Sequence, residues 1–240
     1  MDNITNFPRR TAEAARYDEG LRRHMLGIYR NMGIGLAITA LVAMGIASSP
    51  PLVALIFGTP LKWVAMLAPL AFIFFFQFRI DRMTTATART TFFVFAAVMG
   101  VSMASIFLVF TGASIATAFF AASAMFLGLS LWGYTTGKDL SGLGSFLLMG
   151  LIAVMVMSLI NLFLGSSTLQ ILFSILGVGV FAGLTAWDTQ RLKSEYRYYA
   201  GSQAPGAGGE KLAVMGALSL YLNLINMFQL LLGLFGQREE

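Results

Sequence analysis

The sequence contains no cysteine and a single histidine, His24. The first absence excludes disulfides and thiolate metal sites, and one histidine cannot form a histidine metal cluster. Charged residues make up only 11% of the 240, whereas a soluble domain carries roughly a quarter. A chain with so little charge cannot present a water-covered surface, so we place most of its surface in a membrane.

The common enzyme motifs are also missing. The sequence has no Walker-type phosphate loop, no zinc-protease histidine pair and no GxSxG. Between residues 90 and 187 the only charged side chains are Lys138 and Asp139, and catalysis inside a membrane would need more than these two. We therefore predict that the protein is not an enzyme.

Long apolar runs dominate instead, with 57% hydrophobic residues and a mean hydropathy of +0.76. About 20 helical residues cross the roughly 30 Å of hydrocarbon in a bilayer. We predict one all-α domain over 31–236, with seven transmembrane helices at about 31–49, 61–78, 90–111, 113–135, 143–164, 168–187 and 213–236. An N-terminal segment (1–30) precedes this domain, a polar loop (188–212) interrupts it, and a short outer tail (237–240) follows it.

The basic residues are divided unequally between the two sides of this topology. Of the 16 lysines and arginines, all except Lys62 and Arg238 fall in the N-terminal segment and in the second, fourth and sixth loops. Because lysine and arginine accumulate in cytoplasmic loops, we expect a cytoplasmic N-terminus and a C-terminus on the outer side. The same bias explains the net charge of +5 without a nucleic-acid partner, so the lipid bilayer is the partner we expect.

The seventh predicted helix carries one polar stripe. Ser219, Asn223 and Asn226 follow an i, i+4, i+7 spacing and therefore share a face of an otherwise apolar helix. Such side chains join a helix to its neighbours by hydrogen bonds, or they line an ion or proton path; both interpretations stay open. A single stripe on an apolar perimeter favours a central position for this helix.

Asp188 follows the predicted sixth helix directly. It is either a solvated carboxylate paired with Arg191 one turn further on or a functional group. An acid at a helix C-terminus opposes the helix dipole, which weakens the first interpretation unless the helix continues past residue 188. Basic residues after the second helix orient the protein by snorkelling to phosphates, and one of them could reach such a carboxylate. These residues are Arg79, Arg82 and Arg89.

Three segments resemble one known family. Residues 137–151 (GKDLSGLGSFLLMGL), 187–190 (WDTQ) and 217–228 (ALSLYLNLINMF) are similar, in the same order, to motifs of the Bax inhibitor-1, or transmembrane Bax inhibitor motif, family. The resemblance extends over about 18–237 and is strongest to the bacterial branch. It implies residence in the inner (plasma) membrane and a seven-helix fold in which the last helix is surrounded by the other six.

The resemblance also implies a function. Some members are pH-sensitive calcium leaks, in which two aspartates near the cytoplasmic face share a proton and an arginine from the second helix acts as a latch. Asp188 matches the first aspartate, and Arg82 is the best match to the latch, with Arg79 as the alternative. Asn223 stands where the second aspartate would be.

This departure at Asn223 changes the expected chemistry. Two neighbouring carboxylates cannot both ionise cheaply, whereas a carboxylate beside an amide lacks that repulsion. We therefore expect pH sensing that is weakened or has its midpoint at lower pH. The side-chain oxygens of Asp188 and Asn223 remain hard ligands for a weak calcium site, and Glu195, seven residues on, is a substitute carboxylate if the helix continues. Calcium, as permeant or weakly bound ion, is the only cofactor-like species that we expect.

Two functions remain in competition. The first is a calcium leak channel gated by Asp188, Asn223 and Arg82, with Asn226 and Ser219 along the ion path. The second is a stress-linked regulator that binds other membrane proteins, such as a membrane protease, without conducting ions. Its binding surfaces would be the N-terminal segment and the 188–212 loop. A substrate-coupled transporter has less support, because no inverted repeat is visible.

Overall fold

A computed structural model describes the backbone of residues 7–201 and 207–238, with side chains over 17–199 and 209–238. The described chain folds into helices joined by short turns, as the apolar runs predict. The helices are α1 (Phe7–Ala47), α2 (Pro50–Phe57), α3 (Leu61–Arg79) with a 3-10 turn (Ile80–Arg82), α4 (Thr85–Met103), α5 (Ile106–Val109), α6 (Gly112–Thr135), α7 (Ser141–Leu164), α8 (Ser167–Gly201) and α9 (Ala207–Phe235).

Seven stretches of this described chain are long and apolar enough to cross a membrane, which confirms the predicted all-α polytopic fold. They lie in α1, α3, α4 with α5, α6, α7, α8 and α9. The outer surface carries large apolar side chains, among them Phe78, Phe120 and Phe163. Only a hydrocarbon environment accommodates such a surface without the cost of hydrating it.

The C-terminal helix lies at the centre. Half of the most apolar 18-residue window of α9 is buried, more than in any of the other six spans. This helix packs mainly against α1, α4, α6 and α8, while α3 packs on α4 and α7 on α8. The predicted central position is confirmed, but four helices rather than the expected six surround α9, because α3 and α7 lie in an outer layer.

The main difference from the predicted boundaries concerns α8. We predicted a span over 168–187 and a polar loop over 188–212, but the helix runs without interruption to Gly201. The cause is an apolar stripe in the predicted loop: Leu192 is fully buried and Tyr196 packs on Tyr17 and His24 of α1. These contacts stabilise the helical conformation after residue 187, so α8 extends well beyond the length of a hydrocarbon span.

The N-terminal segment differs in a similar way. Residues 7–30, which we assigned to a cytoplasmic segment, are the first part of α1, and Leu21, Met25 and Ile28 lie in the core. The predicted third span (90–111) divides into α4 and α5 near Ala104, where the backbone hydrogen bonds shorten to the i→i+3 type.

Two glycines allow α6 and α7 to approach α8 closely. A Cβ on Gly133 would lie 2.3 Å from the backbone oxygen of Ala186, and one on Gly144 would lie 2.5 Å from the indole of Trp187. Both distances are far below van der Waals contact, so a side chain at either position would have to displace the backbone of α8 or the Trp187 ring. They hold the segment of α8 that carries Asp188 in place.

Several contacts gather the basic residues at one end of the bundle. Lys193 Nζ donates to the backbone oxygen of Tyr134, Arg197 contacts the hydroxyl of Tyr17, and Lys211 Nζ donates to the backbone oxygen of Asp81. We call this end of the bundle the basic end. It includes the end of α8 with Lys193 and Arg197, the start of α9 with Lys211, and the α6–α7 loop.

Candidate functional site

Asp188 lies inside α8 rather than at its end, and only 5% of the residue is exposed. Asp188 is therefore not solvated, although it pairs with Arg191 as that interpretation expected. Because the helix continues past residue 188, the objection from the helix dipole does not arise. The helix continues because Leu192, one turn further on, is buried beside α9. A carboxylate buried in an apolar bundle is costly, so its partners decide what it can do.

Two side chains satisfy the two oxygens of Asp188. The amide nitrogen of Asn223 on α9 donates to Oδ2 at 2.8 Å, and Nη2 of Arg191 lies 2.6 Å from Oδ1. Hydrogen bonds that involve a charged group are shorter and stronger than neutral ones. The three residues together form a bridge between α8 and the central helix, and we call them the Asp188 cluster.

Arg191 carries this cluster outward. Its Nη2 lies 3.4 Å from Ser219 Oγ and its Nε 3.7 Å from Oε1 of Glu195, while the guanidinium stacks 4.9 Å from the centre of the Trp187 ring. The side chain of Arg191 is 37% exposed, against 8% for that of Asp188. The ion pair thus connects a buried carboxylate to a half-exposed guanidinium at the basic end.

A second polar network lies next to the cluster and was not predicted. The hydroxyls of Tyr29 and Ser130 are hydrogen-bonded, Ser130 contacts Thr189 Oγ1 at 3.0 Å, and Thr189 donates to the backbone oxygen of Thr185. The network joins α1, α6 and α8 beside the backbone of Asp188. Its only signal in the sequence is a set of isolated hydroxyl residues in apolar runs, which does not say which ones meet.

A family model described as "Inhibitor of apoptosis-promoting Bax1" matches residues 21–240. The chain belongs to the Bax inhibitor family. Among its relatives, an uncharacterized protein of Rickettsia prowazekii, RP147, is 42% identical over 240 residues and covers all of both chains. An uncharacterized protein of Caulobacter vibrioides is 40% identical over 232 residues, which is 93% of this chain and 92% of the relative. Inner membrane protein YbhL of Escherichia coli is 38% identical over 221 residues, 92% of this chain and 94% of its own.

In this Bax inhibitor family chain, the structure does not bring the predicted latch to Asp188. Arg79 and Arg82 are both exposed, and within the described residues the arginine paired with Asp188 is Arg191 of the same helix. The turn after α3 contacts the start of α9 instead, through the bond from Lys211 to the backbone oxygen of Asp81. The resemblance implied that an arginine from the second transmembrane helix contacts Asp188. In the structure the contacting arginine comes from α8.

The polar stripe of α9 divides between two roles. Asn223 binds Asp188 and Ser219 faces Arg191, so these two join α9 to α8. Asn226 is half-buried and donates to the backbone oxygen of Leu222 in its own helix. Glu195 joins the site through Arg191, as its spacing on a continued helix predicts.

The calcium site predicted at Asp188 and Asn223 stays a prediction. In the part of the chain that the structure describes, no group of three or more His, Cys, Asp or Glu residues could hold a metal ion. Asn223 presents its amide nitrogen to Asp188, so its oxygen reaches a shared ion only if the amide rotates. Arg191 contacts side-chain oxygens of Asp188, Ser219 and Glu195.

Proposed function

We propose that this protein is a calcium-conducting cation leak of the inner membrane and that the Asp188 cluster is its gate. The observation that carries the proposal is the Asp188 carboxylate, which is buried between α8 and the central helix yet connected to the surface by a half-exposed arginine. Ionisable groups inside a membrane bundle are costly and rare, and they commonly mark ion and proton paths.

In this proposal Arg191 acts as an internal cation. Its guanidinium occupies the place at Asp188 Oδ1 where a permeating ion would bind. When Arg191 swings toward solvent, it leaves oxygens of Asp188, Ser219 and Glu195 for an incoming cation, and calcium prefers such hard oxygen ligands. Asn223 keeps the other oxygen of Asp188 fixed on α9, so the path opens without loss of the central contact.

The expected pH response is shallow. A steep response near neutral pH needs two carboxylates that share a proton, and Asp188 instead has an amide on one side and a guanidinium on the other. Glu195 is separated from Asp188 by Arg191, which contacts both. Changing Asn223 to aspartate would create the carboxylate pair and should steepen the response.

Location and orientation support the same proposal. The Escherichia coli relative is named an inner membrane protein, and the excess of lysine and arginine at the basic end favours a cytoplasmic position for that end. The gate would then face the cytoplasm, with the N-terminus on that side and the C-terminus on the periplasmic side.

The test is calcium flux into dye-loaded proteoliposomes between pH 6 and 8. The variants are Asp188→Ala, Arg191→Gln and Asn223→Asp, with Asp81→Asn as control because Asp81 is an exposed carboxylate outside the cluster. We expect Asp188→Ala to alter the leak, Arg191→Gln to raise it, Asn223→Asp to steepen its dependence on pH, and the control to match the wild type.

A different result would refute the proposal. If the wild type and every variant are as tight as empty liposomes, the protein is not a leak, and the regulator that binds other membrane proteins becomes the better explanation. Flux that is the same in the wild type and in Asp188→Ala would show a conducting protein whose gate lies elsewhere.

A further inference from the structure

A cleft of about 580 Å³ opens at the basic end, between the α6–α7 loop and the last turns of α8. Its walls include four basic side chains and one acidic side chain. These are Lys138, Arg191, Lys193, Arg197 and Asp139. Basic residues on a convex surface are sufficiently explained by topology, but four that line one concavity create a local positive potential.

The single acid does not neutralise this potential. Asp139 Oδ1 accepts hydrogen bonds from the backbone nitrogen of Ser141 at 2.9 Å and from its hydroxyl at 2.6 Å, so this oxygen caps the start of α7. Arg191 is committed in part to Asp188. Three cations therefore remain against one carboxylate, which leaves a net positive charge in the cleft.

Two of these cations are held in position without using all their donors. Lys193 gives one hydrogen to the backbone oxygen of Tyr134 at 2.9 Å, and an ammonium has three. Arg197 uses Nε on the hydroxyl of Tyr17, which leaves the terminal nitrogens of its fork. The side chain of Lys138 is exposed and forms no ion pair among the described residues.

We propose that this cleft is a binding site for a phosphate-bearing anion, either the headgroup of an anionic lipid or a free phosphate. Guanidinium forks and ammonium groups match phosphate oxygens in geometry and charge. The volume lies in the range of small-ligand sites, roughly 300–1,000 Å³, and so exceeds what one inorganic phosphate fills. The cleft also borders Trp187, a residue type that prefers the level of lipid headgroups.

Binding to the full-length protein in neutral detergent tests the proposal with two probes. Radiolabelled inorganic phosphate is measured by equilibrium dialysis, and phosphatidylglycerol is compared with phosphatidylcholine by native mass spectrometry. The cleft variant is Lys138→Gln with Arg197→Gln. The matched control is Arg22→Gln with Arg82→Gln, which removes the same charge from exposed residues that do not line the cleft.

We expect saturable binding of at least one probe. The cleft variant should bind it about a hundredfold more weakly, because it loses two charge-assisted hydrogen bonds that contribute roughly tenfold each, while the control variant should bind like the wild type. Retention of phosphatidylglycerol alone would identify a lipid headgroup as the ligand, and binding of phosphate alone would identify a free anion.

Two results would overturn the proposal: no saturable binding of either probe, or equal losses in the cleft and control variants. The second would show a diffuse surface potential rather than a site. Because the assay measures no ion flux, its outcome is independent of whether the protein conducts calcium.

Discussion

The two partners of the Asp188–Arg191 pair should differ in what their removal costs. Arg191→Met leaves a carboxylate whose side chain is 8% exposed with Asn223 as its remaining partner. Removing one member of a buried pair costs roughly 3–5 kcal/mol, because the other charge is stranded. Since Arg191 itself is 37% exposed, water can replace part of it. We therefore expect a loss of about 2–3 kcal/mol in the free energy of unfolding.

Asp188→Asn should cost less. The substitution leaves no buried charge, and the half-exposed guanidinium of Arg191 can turn to solvent. An amide at this position still offers an oxygen to the Asn223 amide nitrogen, so the bridge to α9 is kept. What is lost is the charge-assisted part of two interactions, about 1 kcal/mol. The double variant should be more stable than Arg191→Met alone, because it too strands no charge.

Unfolding by sodium dodecyl sulfate in mixed micelles, followed by far-UV circular dichroism, measures these free energies on the full chain. The four proteins form a double-mutant cycle, and the difference between the two single-variant losses decides the test. Equal losses for the two single variants, or a larger loss for Asp188→Asn, would refute our account of Asp188 as a buried charge that depends on Arg191.

Three further predictions concern other parts of the molecule. Gly133→Ala places a Cβ 2.3 Å from a backbone oxygen of α8 and should lower the free energy of unfolding by about 1–3 kcal/mol in the same assay, whereas Gly128→Ala, with no atom within 4 Å, should not. Hydrogen bonds from Ser141 hold the pKa of Asp139 below its ordinary 3.8, so the stability that Asp139 contributes is complete above that pH and is lost as the pH falls through the depressed pKa; Ser141→Ala should raise the midpoint of its carboxyl NMR titration. Because the chain has no cysteine, Lys138→Cys creates a single thiol, which an impermeant maleimide should label in opened but not in intact cells; labelling in intact cells would reverse the proposed orientation.

The transmembrane part of the fold was predictable from sequence because its signal is local. A run of about 20 apolar residues is recognised without its neighbours, and the polar stripe of α9 indicated a central helix. The extension of α8 was not predictable in this way. Residues 188–199 are too polar for a hydropathy window, and only the burial of Leu192 and Tyr196 against other helices shows why they remain helical.

The sequence predicted which residues belong to the candidate site better than it predicted which of them contact each other. Hydropathy placed Asp188 at an interface and Asn223 near mid-span, and the family resemblance was needed to bring them together; the structure joins them at 2.8 Å. The arginine was assigned to the second helix by counting along the chain, but position in three dimensions depends on how the turn after α3 packs. Tyr29 and Ser130 are 101 residues apart in the chain, and no local feature of the sequence predicts their contact.

The unbroken course of α8 has a mechanical consequence. Its 35 residues form a rod of about 52 Å, against a hydrocarbon layer of roughly 30 Å. Asp188 and Arg197 lie on this one rod, about 13 Å apart along its axis. If the rod pivots near Asp188, a tilt of about 10° moves Arg197 by roughly 2 Å, and no hinge between them absorbs the movement. A contact made at Arg197 therefore acts directly on the tilt of the helix that carries the buried carboxylate.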